Sequence, residues 1–288
     1  MADASRDATT RQVSTAMGRL HVAEHAGDEP ALVLMHDFPD DSRIYNRLVP
    51  LLSPRRAVAF DFLGYGGSDR PRTGTLDSAG HVHQLGAVLD ELGIETAVLV
   101  GHDASGPVAI DYALAAPDRV GKLILLNTYY GHATALRVPE MIRLLADPDM
   151  TPLADAMLND PDQGMWLLGH TARQFGGDPL DPGSVGVAAV VPQFFGDAGR
   201  PDALPAIRAW TAALFSDLDA QDQRITQGQL ADLDIPVGLV FGVLDRYLSP
   251  DLAAHLASLF ARADLQLVDG ASHWPQWDAP KAVSGLIR

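Results

Sequence analysis

Short apolar runs bounded by glycine, proline and charged residues alternate along the chain with longer stretches of helical periodicity. The apolar runs are typical of buried β-strands, and they cover residues 31–36, 56–61, 96–101, 122–127 and 236–242, with a weaker case at 264–270. The helical patterns cover residues 43–52, 77–92, 105–116, 250–261 and 279–287. This alternation predicts an α/β fold with a mostly parallel sheet that helices cover on both faces. Residues 18–25 alternate between apolar and polar and predict an antiparallel hairpin strand at the sheet edge.

The alternation of strands and helices breaks between Gly131 and Asp232, where helical segments follow one another without an evident strand. So long an excursion should carry structure of its own. We predict an α/β core domain formed by residues 1–130 and 233–288, and a helical cap domain, residues 131–232, inserted between two strands. We expect most aromatic residues of the cap to pack within it and one or two to face a cavity; they are Trp166, Phe175, Phe194, Phe195, Trp210 and Phe215.

Composition and charge narrow the class of function. The 288 residues carry a formal net charge of −16, and no basic run stands out that would bind a nucleic-acid backbone. The absence of cysteine excludes disulfides and thiolate chemistry. No apolar run has the length of a membrane span, and the first residues lack the apolar core of a signal peptide. We expect a cytoplasmic protein that binds neither nucleic acid nor membranes; the oligomeric state stays open, with a homodimer as one option.

The stretch LVGHDASGPVAI, residues 99–110, predicts a strand that turns sharply into a helix and places Asp103 at the turn. In the pattern G-x-S-x-G a serine nucleophile occupies this position. Asp103 is either a helix cap, a common role of aspartate, or a nucleophile itself. Gly101 and Ser105 are the small residues that so tight a turn requires, and Gly106 lets the helix approach the sheet. These neighbours favour the nucleophile.

Three further segments fall beyond the carboxyl ends of strands, where parallel sheets place their functional groups. HDFPDD follows the strand at 31–36, GVLDRY supplies Asp245, and DGASHWPQWDAP supplies His273 after the last strand. Nucleophile, acid and histidine therefore appear in the chain order of an α/β-hydrolase triad.

Together these motifs resemble the α/β-hydrolase superfamily, and within it the branch with an aspartate nucleophile: epoxide hydrolases and haloalkane or haloacid dehalogenases. The matching motifs are HDFP, DFLGYGGSDRP, GHDAS, VLD and SHWPQW. The resemblance implies that Asp103 is the nucleophile, His273 the base and Asp245 its orienting acid. It implies an oxyanion hole from the backbone N–H groups of Phe38 and Ala104, and neither a cofactor nor a metal.

Several residues beside these motifs need an interpretation. Asp37 stands where the family usually has glycine, and it adds a carboxylate near the expected site. The resemblance implies structural roles for His36 and His102. His81 and His83 lie two residues apart on a predicted helix, point to different faces, and make a poor metal pair.

A carboxylate nucleophile changes the target from an acyl carbon to an sp3 carbon, because it displaces a leaving group without first losing a proton. The usual leaving-group helpers of this branch are missing. Ala104 replaces the halide-binding tryptophan of haloalkane dehalogenases, and Ala104 and Pro107 replace the arginines of fluoroacetate-type enzymes. The cap has no tyrosine to stand for the tyrosine pair of epoxide hydrolases. The remaining donors near the expected cavity are Tyr247, Tyr129, Tyr130, Trp166 and Trp210.

A phenol can protonate an alkoxide, whereas a halide needs only solvation. We therefore predict an epoxide hydrolase, similar to the atypical ones of aromatic polyketide pathways, that acts on a small apolar or aromatic substrate. Tyr247, two residues beyond Asp245, is expected to donate a hydrogen bond to the leaving oxygen. A haloalkane or haloacid dehalogenase is the alternative, and a non-catalytic ligand-binding protein of the same fold is the second.

Overall fold

One mixed sheet forms the centre of the molecule. The structure is a computed structural model that describes residues 8–36, 38–71, 76–175, 181, 183–196 and 202–287. The strands are β1 (Thr9–Thr15), β2 (Gly18–His25), β3 (Asp28–Met35), β4 (Arg55–Phe60), β5 (Ala97–Asp103), β6 (Val120–Thr128), β7 (Val237–Gly242) and β8 (Ala263–Val268). Their order in the sheet is β1-β2-β4-β3-β5-β6-β7-β8. β2 pairs antiparallel with β1 and β4, and all other neighbours are parallel. The predicted fold class is confirmed.

Helices flank this sheet and fill the segment between β6 and β7. They are α1 (Ser78–Glu91), α2 (Ser105–Ala115), α3 (Glu140–Ala146), α4 (Thr151–Leu158), α5 (Pro161–Gln174), α6 (Val191–Phe195), α7 (Leu204–Thr226), α8 (Pro250–Ser258), α9 (Pro275–Asp278) and α10 (Pro280–Ile287). The described residues of the predicted cap, 131–232, form helices and turns but no strand. The division into two domains stays a prediction. None of the described helices combines the length and the apolar character needed to cross a membrane.

Side chains that alternate along each central strand build two apolar layers. On β3, Val33 and Met35 pack in the layer that includes α1, α2 and α8. Leu32 and Leu34 point to the opposite face and pack with residues of α10. Because both faces are buried, such strands are continuously apolar in sequence, which explains why the pattern revealed them.

Two parts of the predicted secondary structure are wrong. Residues 43–52 form two short 3-10 turns, Ser42–Tyr45 and Val49–Leu51, and not an α-helix; Pro50 cannot donate the backbone hydrogen bond that a continuous helix needs there. The outermost strand β1 was not predicted, and it displaces β2 from the sheet edge. Its sequence TTRQVST buries only Val13, so it lacks the apolar pattern of a strand.

Candidate active site

Asp103 is the last residue of β5, at the tight turn into α2 and at the middle of the edge where the parallel strands end. Its φ is 44°, in the left-handed region that non-glycine residues rarely adopt and that is often found at functional sites. A Cβ at position 101 would come within 2.8 Å of the Ser105 carbonyl oxygen, so Gly101 permits the turn. The N-cap of α2 is Ala104. Asp103 therefore does not cap this helix.

Ser105 and Gly106 hold the turn from behind. Ser105 is fully buried, and its Oγ accepts a hydrogen bond from His102 N at 2.8 Å, which keeps the hydroxyl away from the cavity. A Cβ at Gly106 would collide with the side chain of Thr128 on β6, so glycine allows α2 to approach the sheet. The Thr128 hydroxyl donates to the Asp103 carbonyl oxygen at 2.5 Å. These contacts hold the turn in place, and Asp103 lines the cavity.

Asp245 and His273 form a buried pair, and His273 lines the same cavity as Asp103. His273 Nδ1 lies 2.7 Å from Asp245 Oδ2. The other oxygen, Oδ1, accepts the backbone N–H groups of Tyr247 at 2.9 Å and Leu248 at 3.1 Å. Because Nδ1 donates to the carboxylate, Nε2 is the ring nitrogen that can take up a proton. The structure thus brings the three residues of the predicted triad together.

Electrostatics favours an ionised acid beside a basic histidine. Burial lowers the pKa of His273, but the carboxylates of Asp245, Asp103 and Asp40 outweigh burial and raise this pKa above its ordinary value. Burial raises the pKa of Asp245, but the His273 ring and the backbone N–H groups of the 245–248 turn bring it below its ordinary value. The pair therefore suits removal of a proton from water.

Asn127, at the end of β6, is a site residue that the sequence pattern did not reveal. It is fully buried, and its Nδ2 donates to Asp245 Oδ2 at 2.9 Å. Its Oδ1 accepts the backbone N–H of Gly242 at 2.7 Å. Asn127 thus ties β6 to the end of β7 and orients the carboxylate that holds His273. Only the polar residue that closes the apolar run KLILLN could have suggested it.

We expect Asn127→Ala to lower kcat by about 10-fold to 100-fold, because a misoriented Asp245 no longer aligns the imidazole. The free energy of unfolding should also fall by about 1–3 kcal/mol, since a buried hydrogen-bonding group is removed. Steady-state kinetics and thermal unfolding measure the two effects. Asn159→Ala, at the exposed end of α4, is the control. A destabilised variant with native kcat would limit Asn127 to a structural role.

Phe38 and Ala104, the two predicted oxyanion-hole residues, line the cavity beside Asp103. Ala104 precedes the first turn of α2, where backbone N–H groups have no acceptor within the helix. Asp37 lies outside the described residues. The positions of Phe38 and Ala104 are compatible with the predicted role, which stays a prediction.

His36 and His102 form hydrogen bonds with backbone groups, whereas His81 packs against aromatic rings. His36 Nε2 accepts the N–H of Phe62 at 3.0 Å, and His102 Nε2 lies 2.7 Å from the carbonyl oxygen of His273. His81 is fully buried against Phe62 and the Trp210 ring, and burial lowers its pKa to about 3. Within the described ranges, no three His, Cys, Asp or Glu side chains cluster as a metal site would require.

The cavity above Asp103 is mainly apolar and lies between the sheet edge and the helices of residues 131–232. Aliphatic and aromatic side chains from several helices and loops form its walls, among them Leu136, Ile142, Leu168, Val190, Trp210 and Leu214. Tyr129 and Tyr247 contribute phenols, and Arg137 contributes a guanidinium. Such walls suit a small apolar ligand.

Two residues that the sequence predicted near the cavity, Tyr130 and Trp166, do not line it. The Tyr130 hydroxyl donates to Asp111 Oδ1 on α2 at 2.5 Å, and the side chain is not part of the cavity wall. Trp166 is 60% exposed, stacks on His170 and faces solvent. Both predictions are wrong because neither side chain is directed towards Asp103.

Comparisons with known proteins show which family the chain resembles. A sequence model described as the alpha/beta hydrolase fold matches residues 30–280. Haloalkane dehalogenase 2 of Mycobacterium tuberculosis is 31% identical over 140 residues, which are 48% of this chain and 49% of that protein. The match therefore spans about half the length of this curated relative.

Solved structures are similar to this chain over nearly its whole length. Cfl2 from Burkholderia cenocepacia superposes with a TM-score of 0.79 at 24% identity, covering 97% of this chain and 95% of that one. An epoxide hydrolase from an endophytic Streptomyces gives 0.71 at 24% identity, covering 98% and 94%. At these identities the likeness shows a shared fold.

Proposed function

The chain belongs to the α/β-hydrolase family, and on that premise we propose that it hydrolyses epoxides through an alkyl ester on Asp103. The observation that carries this proposal is the placement of a carboxylate, not a hydroxyl, at the left-handed turn, in a cavity that is also lined by His273, the partner of Asp245. A carboxylate at this position can attack an sp3 carbon directly.

The reaction has two steps. An Asp103 carboxylate oxygen attacks an epoxide carbon, the C–O bond of the ring breaks, and the released alkoxide takes a proton from a donor in the cavity. His273 then removes a proton from water, which attacks the carboxyl carbon of the ester. The C–O bond to the diol breaks, the imidazolium gives its proton to the departing diol oxygen, and the carboxyl proton of the released Asp103 returns to the donor in the cavity. N–H groups of Phe38 and Ala104 would stabilise the oxyanion of this second step, at about 3 kcal/mol per donor.

The geometry conflicts with the predicted donation from Tyr247 to the leaving oxygen. The Tyr247 hydroxyl donates to Glu140 Oε2 at 2.5 Å, on the first turn of α3. Burial and the Glu140 carboxylate raise the pKa of Tyr247, which makes it a weaker acid. Tyr129 also lines the cavity, and it directly follows Thr128, whose Cα pairs with that of Asp103 in the sheet. We therefore assign the proton donor to Tyr129.

Tyr129→Phe should slow opening of the epoxide ring by about tenfold or more, equivalent to about 1.4 kcal/mol in the barrier. Hydrolysis of the ester should be unaffected, because the alkoxide is already protonated at that stage. Rapid-quench measurement of ester formation with styrene oxide tests this, with Tyr247→Phe as the matched variant. A slow Tyr247→Phe beside a native-like Tyr129→Phe would return the role to Tyr247.

A dehalogenase is the second candidate, favoured by the 31%-identical haloalkane dehalogenase and by the indole of Trp210 in the cavity wall, a donor able to solvate a halide. Incubation with styrene oxide and with 1-bromobutane separates the two, because one yields a diol and the other bromide. We expect diol formation to dominate. Bromide release without diol would favour the dehalogenase, and binding of both without turnover would favour a non-catalytic protein.

A further inference from the structure

A row of aromatic rings connects the helical segment above the cavity to the imidazole of His273. Phe175, at the end of α5, has its ring centroid 4.4 Å from that of His273 and 4.8 Å from that of Tyr247. The Trp274 ring lies 5.6 Å from Phe175 and 4.7 Å from His273. Phe175 is the member of this row that comes from residues 131–232.

This contact matters differently for the two steps of the proposed reaction. Attack of Asp103 on the epoxide carbon needs no base, so it does not depend on how the imidazole is held. Hydrolysis of the ester needs a neutral imidazole whose Nε2 meets a single water at the right angle. A ring packed on the imidazole restricts its tilt and covers it from bulk water.

We propose that Phe175 is a positioning residue for ester hydrolysis: it holds the His273 ring in place and keeps bulk water away from it. This inference rests on the proposed function. Its consequence is that hydrolysis is fast only while the end of α5 is seated on the histidine, whereas formation of the ester is not subject to that condition.

The electrostatic surroundings of His273 sharpen the expectation. Asp245, Asp103 and Asp40 favour its protonated form, and burial disfavours it. Phe175 adds an apolar surface on which an imidazolium cannot be hydrated. Without this ring, water would stabilise the imidazolium, raise the pKa of His273 and leave less neutral base at neutral pH.

The test compares Phe175→Ala with Phe195→Ala, a variant at a 38% exposed phenylalanine of α6 that does not line the cavity. With styrene oxide in rapid-quench experiments, we expect Phe175→Ala to slow ester hydrolysis by about tenfold and ester formation by less than about threefold. The acidic limb of the hydrolysis rate should move to higher pH. Phe175→Leu, which keeps an apolar cover, should fall between Phe175→Ala and the native enzyme.

Three results would overturn this inference. If Phe175→Ala and Phe175→Leu slow both steps equally, or alter KM alone, Phe175 is a wall of the cavity and no more. The same conclusion follows if Phe175→Ala hydrolyses the ester at the native rate and the pH profile of hydrolysis does not move. If the proposed function itself is wrong, no ester forms in the native enzyme or in a variant that lacks the base. That result can be told apart from a failure of the Phe175 inference alone.

Discussion

Asp103→Asn should reduce turnover by about 10⁴-fold or more while the fold persists, because an amide oxygen does not displace a leaving group from carbon. Asparagine is the appropriate replacement, since it tolerates the left-handed φ of 44° better than alanine does. The substitution removes the reactive carboxylate without straining the turn. Circular dichroism and thermal unfolding check the fold, and diol formation from styrene oxide measures the loss.

The same variant has a second, electrostatic consequence. The Asp103 carboxylate helps to raise the pKa of His273, so its removal should lower that pKa. An NMR titration of the His273 ring protons measures the change, with Asp69→Asn, at the exposed ion pair with Arg19, as the control. Formation of the ester also removes the negative charge of Asp103. It should therefore lower the pKa of His273, so that the histidine is a neutral base when hydrolysis requires one. An unchanged His273 pKa, or turnover close to native, would contradict the assignment of Asp103.

His273→Gln should reduce steady-state turnover by about 10³-fold or more but leave ester formation within a small factor of the native rate. Glutamine can still donate a hydrogen bond to Asp245, but it cannot take a proton from water. Each chain should therefore consume one equivalent of styrene oxide and then stop. Single-turnover consumption of the epoxide measures this, and His255→Gln, on α8, is the control. If His273→Gln does not consume even this first equivalent, His273 acts before the ester forms.

The neighbourhood of the three proposed catalytic residues could be predicted from sequence because a general rule applies: parallel strands end at one edge of the sheet. Asp103 follows the apolar run of β5, and Asp245 and His273 follow β7 and β8. Asn127 obeys the same rule at the end of β6, but nothing local separates a carboxylate-orienting asparagine from one that ends a strand. Its contact with Asp245 spans 118 positions along the chain.

Side-chain directions beyond the strands could not be predicted. Tyr129 and Tyr130 are adjacent, yet Tyr129 lines the cavity and Tyr130 binds Asp111 on α2. Trp166 and Trp210 both lie on helices between β6 and β7, and only Trp210 faces the cavity. Which face of each helix meets the core depends on how the helices dock, and the periodicity of a single helix does not contain that information.

The mass of the His273→Gln chain after incubation with styrene oxide tests the central claim, that the Asp103 carboxylate itself attacks carbon. We expect one adduct per chain with the mass of the whole epoxide, located after digestion on the peptide that carries Asp103 and absent when Asp103→Asn is combined with His273→Gln. With 1-bromobutane, any adduct would carry the butyl group without bromine. An unmodified His273→Gln chain, with a substrate that the native enzyme converts, would contradict the claim and indicate direct attack by water.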